Sequence, residues 1–203
     1  MATGGRQETA SGFSQVIAHL GDSVQTDGDL LTQFILERDE KSFATLVHRH
    51  GPLVLGVCRR VIGDLDLADD AFQAVFLVLA RKAPAVLPPE SLRGWLHGVA
   101  THTALRAKRM ILRKQKRETL VADVPDRPQP LSDPVDPDIL RMLHEDIARL
   151  PDHLRAAVVL CELDGLGRKE AATRLGVPEG TLSSRLAKAR RLLAGRLRGI
   201  AAG

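Results

Sequence analysis

Residues 166–191 constrain the chain more tightly than any other stretch. Ala171, Ala172 and Leu175 fall on one side of a short helix, and Gly176 then permits the left-handed backbone that a tight turn needs. Val177 plugs the corner, and Pro178 suits the first position of a following helix because its φ is already set. That second helix would bury Leu182, Leu186, Ala189 and Leu193, at steps of four, three and four. Its other side carries Ser183, Ser184, Arg185, Lys188 and Arg191. The pattern is a helix-turn-helix whose second helix is fitted to phosphates and base edges. An ordinary helical hairpin with a basic solvated face is the competing reading. It leaves the small alanines at the crossing, the turn glycine and the cationic second helix unconnected.

The rest of the chain reads as helical too. Of 203 residues, 44% are hydrophobic and only 3% aromatic, with no tyrosine, so the core must be built from Leu, Val, Ala and Ile. Met1–Thr26 is polar and reads as a tail. Asp27 opens a helix holding Leu30, Leu31, Phe34 and Ile35. Asp39 is a suitable N-cap for the next, with Phe43, Leu46, Val47, His50, Val54, Val57 and Val61 inward and a kink expected at Gly51-Pro52. Phe72, Val75, Phe76 and Leu79 form another buried stripe. Pro84, Pro88 and Pro89 exclude helix from the following loop, after which Ser91 can cap a helix with Leu92, Trp95, Leu96, Val99, Leu105 and Ile111.

From Glu118 to Asp138 five prolines alternate with six acids against Arg127 alone, a composition that reads as a flexible acidic, Pro-rich linker. The expected fold is therefore all-α, with two small helical domains: a tail at 1–26, a first domain at 27–117, the linker at 118–138 and a second domain at 139–198. The second domain begins near Ile139, with Leu143, Ile147 and Leu150 on one face. Cys58 and Cys161 read as reduced core thiols of a cytoplasmic protein, since Met1–Asp22 lacks a secretory pattern. The apolar run Ala74–Ala80 is too short to span a bilayer.

Charge is segregated. Arg81–Arg117 holds ten basic residues against Glu90, and Gly165–Arg198 nine against Glu170 and Glu179. Each domain thus has its own cationic helix, and one polyanion touching both is the economical explanation. A solvated charged face is the alternative for the first cluster.

Three stretches together resemble the bacterial RNA polymerase sigma factors of the extracytoplasmic-function (ECF) type. Asp69–Leu77 (DDAFQAVFL) is similar to that family's core-binding helix. Leu92–Ala100 (LRGWLHGVA), running into the basic stretch to Arg117, resembles the segment that melts the promoter and contacts the −10 element. Leu150–Leu193 resembles region 4. The resemblance implies that residues 27–117 are region 2 and 139–198 region 4, that the partners are core RNA polymerase (clamp and flap), promoter DNA and an anti-sigma factor, and that no cofactor is needed.

The resemblance also assigns residues. Asp69, Asp70 and Gln73, opposite Phe72 and Phe76, would dock on the polymerase clamp by pairing with arginines. Acids near a helix start are stabilising in any case, which accounts for Asp64 and Asp66 but poorly for Gln73. The loop Pro84–Glu90 and the start of the next helix correspond to where the family captures an unstacked base. Arg93, His102, Arg106, Arg109 and Arg113 are strand and phosphate candidates. Trp95 is either a core anchor, the favoured reading, or a stacking residue. In region 4, Lys169, Arg174, Arg185 and Lys188 are phosphate candidates, while Glu179, Thr181, Ser183, Ser184 and Arg191 can reach bases or backbone of the −35 groove. Ala74, His102 and Ser183 depart from the residues common in the family. Ala74 weakens one presumed clamp contact, and the other two bear on the promoter sequence.

Catalytic chemistry has no support. His48 and His50 diverge on a helix, His97 and His102 are a poor same-face pair, and no cysteine stands at zinc spacing from them. Two rival functions remain. A free-standing dimeric helix-turn-helix regulator would need a dimerisation surface and palindromic sites. An RNA-binding adaptor would use the basic helices as generic patches.

Overall fold

The structure is a computed structural model that describes residues 25–118 and 137–201. The tail to Val24 and almost all of the acidic linker lie outside the described residues. Eight α-helices and no strands make up the described chain: α1 (Asp27–Glu37), α2 (Glu40–Ile62), α3 (Leu65–Lys82), α4 (Leu92–Glu118), α5 (Pro137–Ala148), α6 (Asp152–Val158), α7 (Arg168–Arg174) and α8 (Glu179–Ala201).

Local chemistry sets most boundaries. Thr26 and Asp29 form a reciprocal capping box at α1, and the Asp39 carboxylate accepts from the Lys41 and Ser42 amides at α2. Asp64 caps α3 by accepting from Leu67 N. Gly63 closes α2 at φ +81°, a conformation cheap only for glycine. Helix α2 runs through Pro52 without interruption. Ser91 does not cap α4 as expected. Its hydroxyl donates back to the Pro88 carbonyl at 2.7 Å and is buried in a short 3₁₀ turn over Pro89–Ser91.

Two hydrophobic cores result. The first joins α1–α4 through Leu31, Leu46, Val54, Val61, Val75, Leu79, Leu92 and Leu96. The second joins α5–α8 through Ile147, Leu154, Val158, Ala171, Leu182 and Leu186. Leu53, partly buried, packs against both. Cys58 is wholly buried, and burial pushes its thiol up to about 12. Cys161, expected in the core, is only half-buried at the edge of the second core. It lies in the middle of the wide π-turn Val159–Leu163 that follows α6, after the buried Val159 and Leu160.

The two units are docked on one another. Helix α6 lies between α4 of the first unit and α8 of the second, and α5 also packs on α2 and α4. At its centre Arg155 donates to the Gly94 carbonyl (2.8 Å) and, within its own unit, to the carbonyls of Ala148 (2.8 Å) and Leu150 (3.1 Å). His97 and His144 meet across the same boundary, Nε2 to Nδ1, at 3.0 Å.

Candidate nucleic-acid interface

The helix-turn-helix forms as its sequence dictates. Gly176 adopts φ +61°, and Val177 packs, half-buried, on the second core. Pro178 stands one residue before α8 rather than inside it, with its carbonyl accepting from Leu182 N at 3.1 Å. Leu182, Leu186 and Ala189 are buried. At 100° per residue this places Ser184, Lys188 and Arg191 at the centre of the opposite face, with Thr181, Ser183 and Arg185 on its flanks. Exposure follows: Ser184, Lys188 and Arg191 are exposed, the flanking three half-buried, and Glu179 is exposed in the first turn.

Ion pairing divides the cations of this unit. Arg174 pairs with Glu170 (2.9 Å), Arg190 with Glu162 (2.6 Å), and Arg196 reaches the Asp146 carbonyl (3.0 Å). Lys169, Arg185, Lys188 and Arg191 have no acidic partner among the described residues. Unpaired cations on one helix face are the ones available to phosphates.

On α4 the candidates separate into two groups. Trp95, His102, Arg106, Arg109 and Arg113 recur at steps of seven, four, three and four, which puts all five within about 60° on the helix wheel. The last four are exposed, and Trp95 is half-buried against the first core, in keeping with its reading as an anchor. Lys108 points elsewhere. Burial and then the nearby Arg141 lower its ammonium, while Asp138 and Glu145 act in the opposite sense.

Arg93 does not belong to the stripe. It lies half a turn of the wheel away, half-buried, and binds Asp164 of the second unit through Nε and Nη2. Its Nη1 also sits 3.3 Å from His50 Nδ1. In this arrangement Arg93 is an inter-unit residue, out of line with the outward cations.

Helix α3 presents a separate surface. Asp69, Asp70 and Gln73 are exposed, over Ala71, Val75 and Phe76, which are buried. Asp66, Asp70, Gln73 and Leu77, spaced four, three and four, form one outward stripe. Leu77 is 60% exposed, and sequence reading missed it because it looked like part of the apolar run. Asp69 is 3.8 Å from Arg59, a loose pair between exposed groups. Among the described residues no group of His, Cys, Asp and Glu is placed to hold a metal, and no helix is long and apolar enough to cross a membrane.

Comparison with known proteins fits this layout. Residues 46–118 match the Sigma-70 region 2 family and residues 140–193 match Sigma-70, region 4. The RNA polymerase sigma factor CarQ of Myxococcus xanthus is 32% identical over 145 residues, covering 70% of this chain and 80% of that protein. The ECF RNA polymerase sigma factor SigM of Mycobacterium tuberculosis H37Rv is 29% identical over 184 residues, covering 90% of each. A solved complex of the sigma factor RpoE with the anti-sigma factor NepR from Bartonella quintana aligns at TM-score 0.39 and 21% identity, over 78% of this chain and 98% of that one. The two matched regions, in this order on helical units, define a sigma-70 family protein. Within that family the chain belongs to the ECF sigma factors, which direct core RNA polymerase to promoters for transcription initiation.

Proposed function

We propose that three surfaces divide the work of this sigma factor. The α3 stripe of Asp69, Asp70 and Gln73, extended by Leu77, docks on the polymerase clamp. The loop Pro84–Glu90 and the α4 stripe of His102, Arg106, Arg109 and Arg113, with Trp95 at its inner end, hold the opened −10 strand. The α8 face, centred on Ser184, Lys188 and Arg191 and flanked by Glu179, Thr181, Ser183 and Arg185, enters the −35 major groove, with Lys169 and Arg174 from α7 on adjacent phosphates. Residues 27–117 act as region 2 and 139–198 as region 4, in the cytoplasm, with the flap of polymerase and an anti-sigma factor as further partners. Bond making belongs to the polymerase, and this chain supplies address and strand opening.

The observation that carries the reading is the coexistence of two cationic faces with an acidic–amide face on α3 that neither uses. A dimeric regulator has no use for that third surface, and the exposed cations of α4 would also be idle in it.

In-vitro transcription tests the proposal. The purified chain added to sigma-free core polymerase should start RNA synthesis from a cognate promoter. Failure to bind core would overturn it. Binding without initiation would remove the −10 assignment.

A further inference from the structure

Within the polar tail one short stretch is amphipathic. Phe13, Val16, Ile17 and Leu20 stand at the first, fourth, fifth and eighth positions of one run. At 100° per residue they share an arc of about 100°, with Ser14, Gln15 and His19 outside it. Gly21 follows as a stop signal. All of them precede the described residues. So short a helix does not hold in water by itself, and an apolar stripe on one needs a surface to lie against.

The first unit offers such a surface beside the point where the tail joins it. Pro84, Ala85, Leu87 and Pro88 are all exposed, Leu87 at 72%. The buried Ala83 and Val86 fix this loop to the first core. No charge interrupts the run from Ala83 to Pro89. The tail enters close by. Arg49 Nη1 donates to the Gln25 carbonyl at 3.2 Å and pins the chain at the start of α1. Gly28, buried in the first turn, faces the end of the loop: a Cβ there would stand 3.5 Å from Pro89 Cβ and 3.3 Å from Glu90 Oε1. Leu87 is two residues from Pro89, no more than about 7 Å away. The tether from Leu20 to Gln25 spans up to about 17 Å, and the amphipathic run adds about 12 Å as a helix. The stripe therefore reaches the loop. Leu36, also exposed on α1, stands at the far end of that helix beside the exposed Glu37 and Arg38 and offers no comparable patch.

We propose that Phe13–Leu20 lies as a helix over Pro84–Pro88 in the free protein, with its stripe on Leu87, and covers this loop until single-stranded DNA displaces it. The docking stands on the entry point of the tail and on two apolar surfaces in reach of each other. The competition with DNA rests on the −10 role assigned to the loop above. The run carries one ionisable side chain, His19, on its polar side, so docking strands no charge. A splayed base presents its flat face to the same apolar side chains, so the two occupants exclude each other.

Photocrosslinking from position 13 tests the docking. With p-benzoylphenylalanine in place of Phe13, the dilute full chain should crosslink within one molecule to residues 84–88. A crosslink elsewhere, a crosslink to a second copy, or none would overturn the docking. Binding of a labelled oligothymidine of about twelve nucleotides to the free chain tests the covering. Phe13→Asp/Ile17→Asp, which leaves every core contact in place, should bind it about threefold tighter or more because the loop is freed. Adding Leu87→Asp to that variant should then weaken binding. If the tail variant gains nothing while Leu87→Asp still costs affinity, the covering is overturned. If Leu87→Asp costs nothing while position 13 still crosslinks to the loop, the −10 role of the loop falls, and with it the competition, and the docked tail stands.

Discussion

His50 Nε2 lies 2.9 Å from Asp27 Oδ2, which places a carboxylate of the first helix against an imidazole buried in the second. Asp27 also accepts from Arg49 at 2.6 Å. On the other side of the ring, His50 Nδ1 faces Arg93 Nη1 at 3.3 Å. The chain of contacts runs Asp27, His50, Arg93, Asp164, from the first helix into the second unit.

A stability prediction follows from Asp27. Burial alone would raise its carboxyl, but the hydrogen bond and charge of His50, then those of Arg49, outweigh this and hold it at about 2. The folded value lies below the ordinary 3.8. The stabilisation is therefore complete above about pH 4 and is lost as pH falls toward 2. Asp27→Asn should cost about 2 kcal/mol at neutral pH, with the difference shrinking below pH 4. Urea unfolding of both proteins across that range measures it, and a pH-independent difference would contradict the assignment.

The histidine pair between the units predicts a second pH effect. Burial, then the charges of His144 and Arg155, lower His97 to about 3. Burial, then Arg60, lowers His144 to about 4. The folded protein thus resists protons that the unfolded chain accepts near pH 6.5. Stability is complete above that value and falls as pH drops toward 4 and then 3, by up to about 1.4 kcal/mol per pH unit for each proton. The unfolding midpoint should decline from pH 7 to 5 in the wild type and decline less in His97→Asn/His144→Asn. Parallel profiles would show that other groups govern the decline.

How much of this could be read from the chain depends on how local the determinant is. The turn at Gly176, the capping by Asp39 and the stripe Leu182–Leu186–Ala189 follow from neighbouring residues alone, so periodicity found them. The outward stripe of α4 was legible because its cations recur at helical spacing. Arg93 was misplaced because its partner, Asp164, is 71 residues away. The same holds for His97 with His144 and for Arg155 with Gly94, 47 and 61 residues apart. One signal was present: two glycines four apart in a helix weaken it, and they make sense only where another backbone or side chain comes close.

The α3 face predicts a loss of polymerase binding without a loss of fold. Asp70 and Gln73 are exposed, so their replacement leaves the core intact. Asp70→Arg should weaken core association at least about tenfold, or about 1.4 kcal/mol, and Gln73→Ala by less. Titration of labelled core polymerase with each variant, beside thermal unfolding, separates binding from stability. Unchanged affinity in both would move the docking surface elsewhere.

Lys188 and Arg191 should behave differently from each other on DNA. Both are exposed on the outer face of α8, and neither has an acidic partner among the described residues. A lysine offers a point charge, whereas an arginine can present two parallel donors to a guanine edge. Lys188→Ala should therefore weaken holoenzyme binding to every −35 sequence alike and reduce the slope of log K against log salt by about 1. Arg191→Ala should cost about 1–3 kcal/mol on the preferred sequence and much less on others. Salt titrations of both variants on matched and mismatched −35 duplexes distinguish the two modes. An unaltered salt slope for Lys188→Ala would take that side chain off the phosphates, and a uniform loss for Arg191→Ala would make it a backbone contact instead.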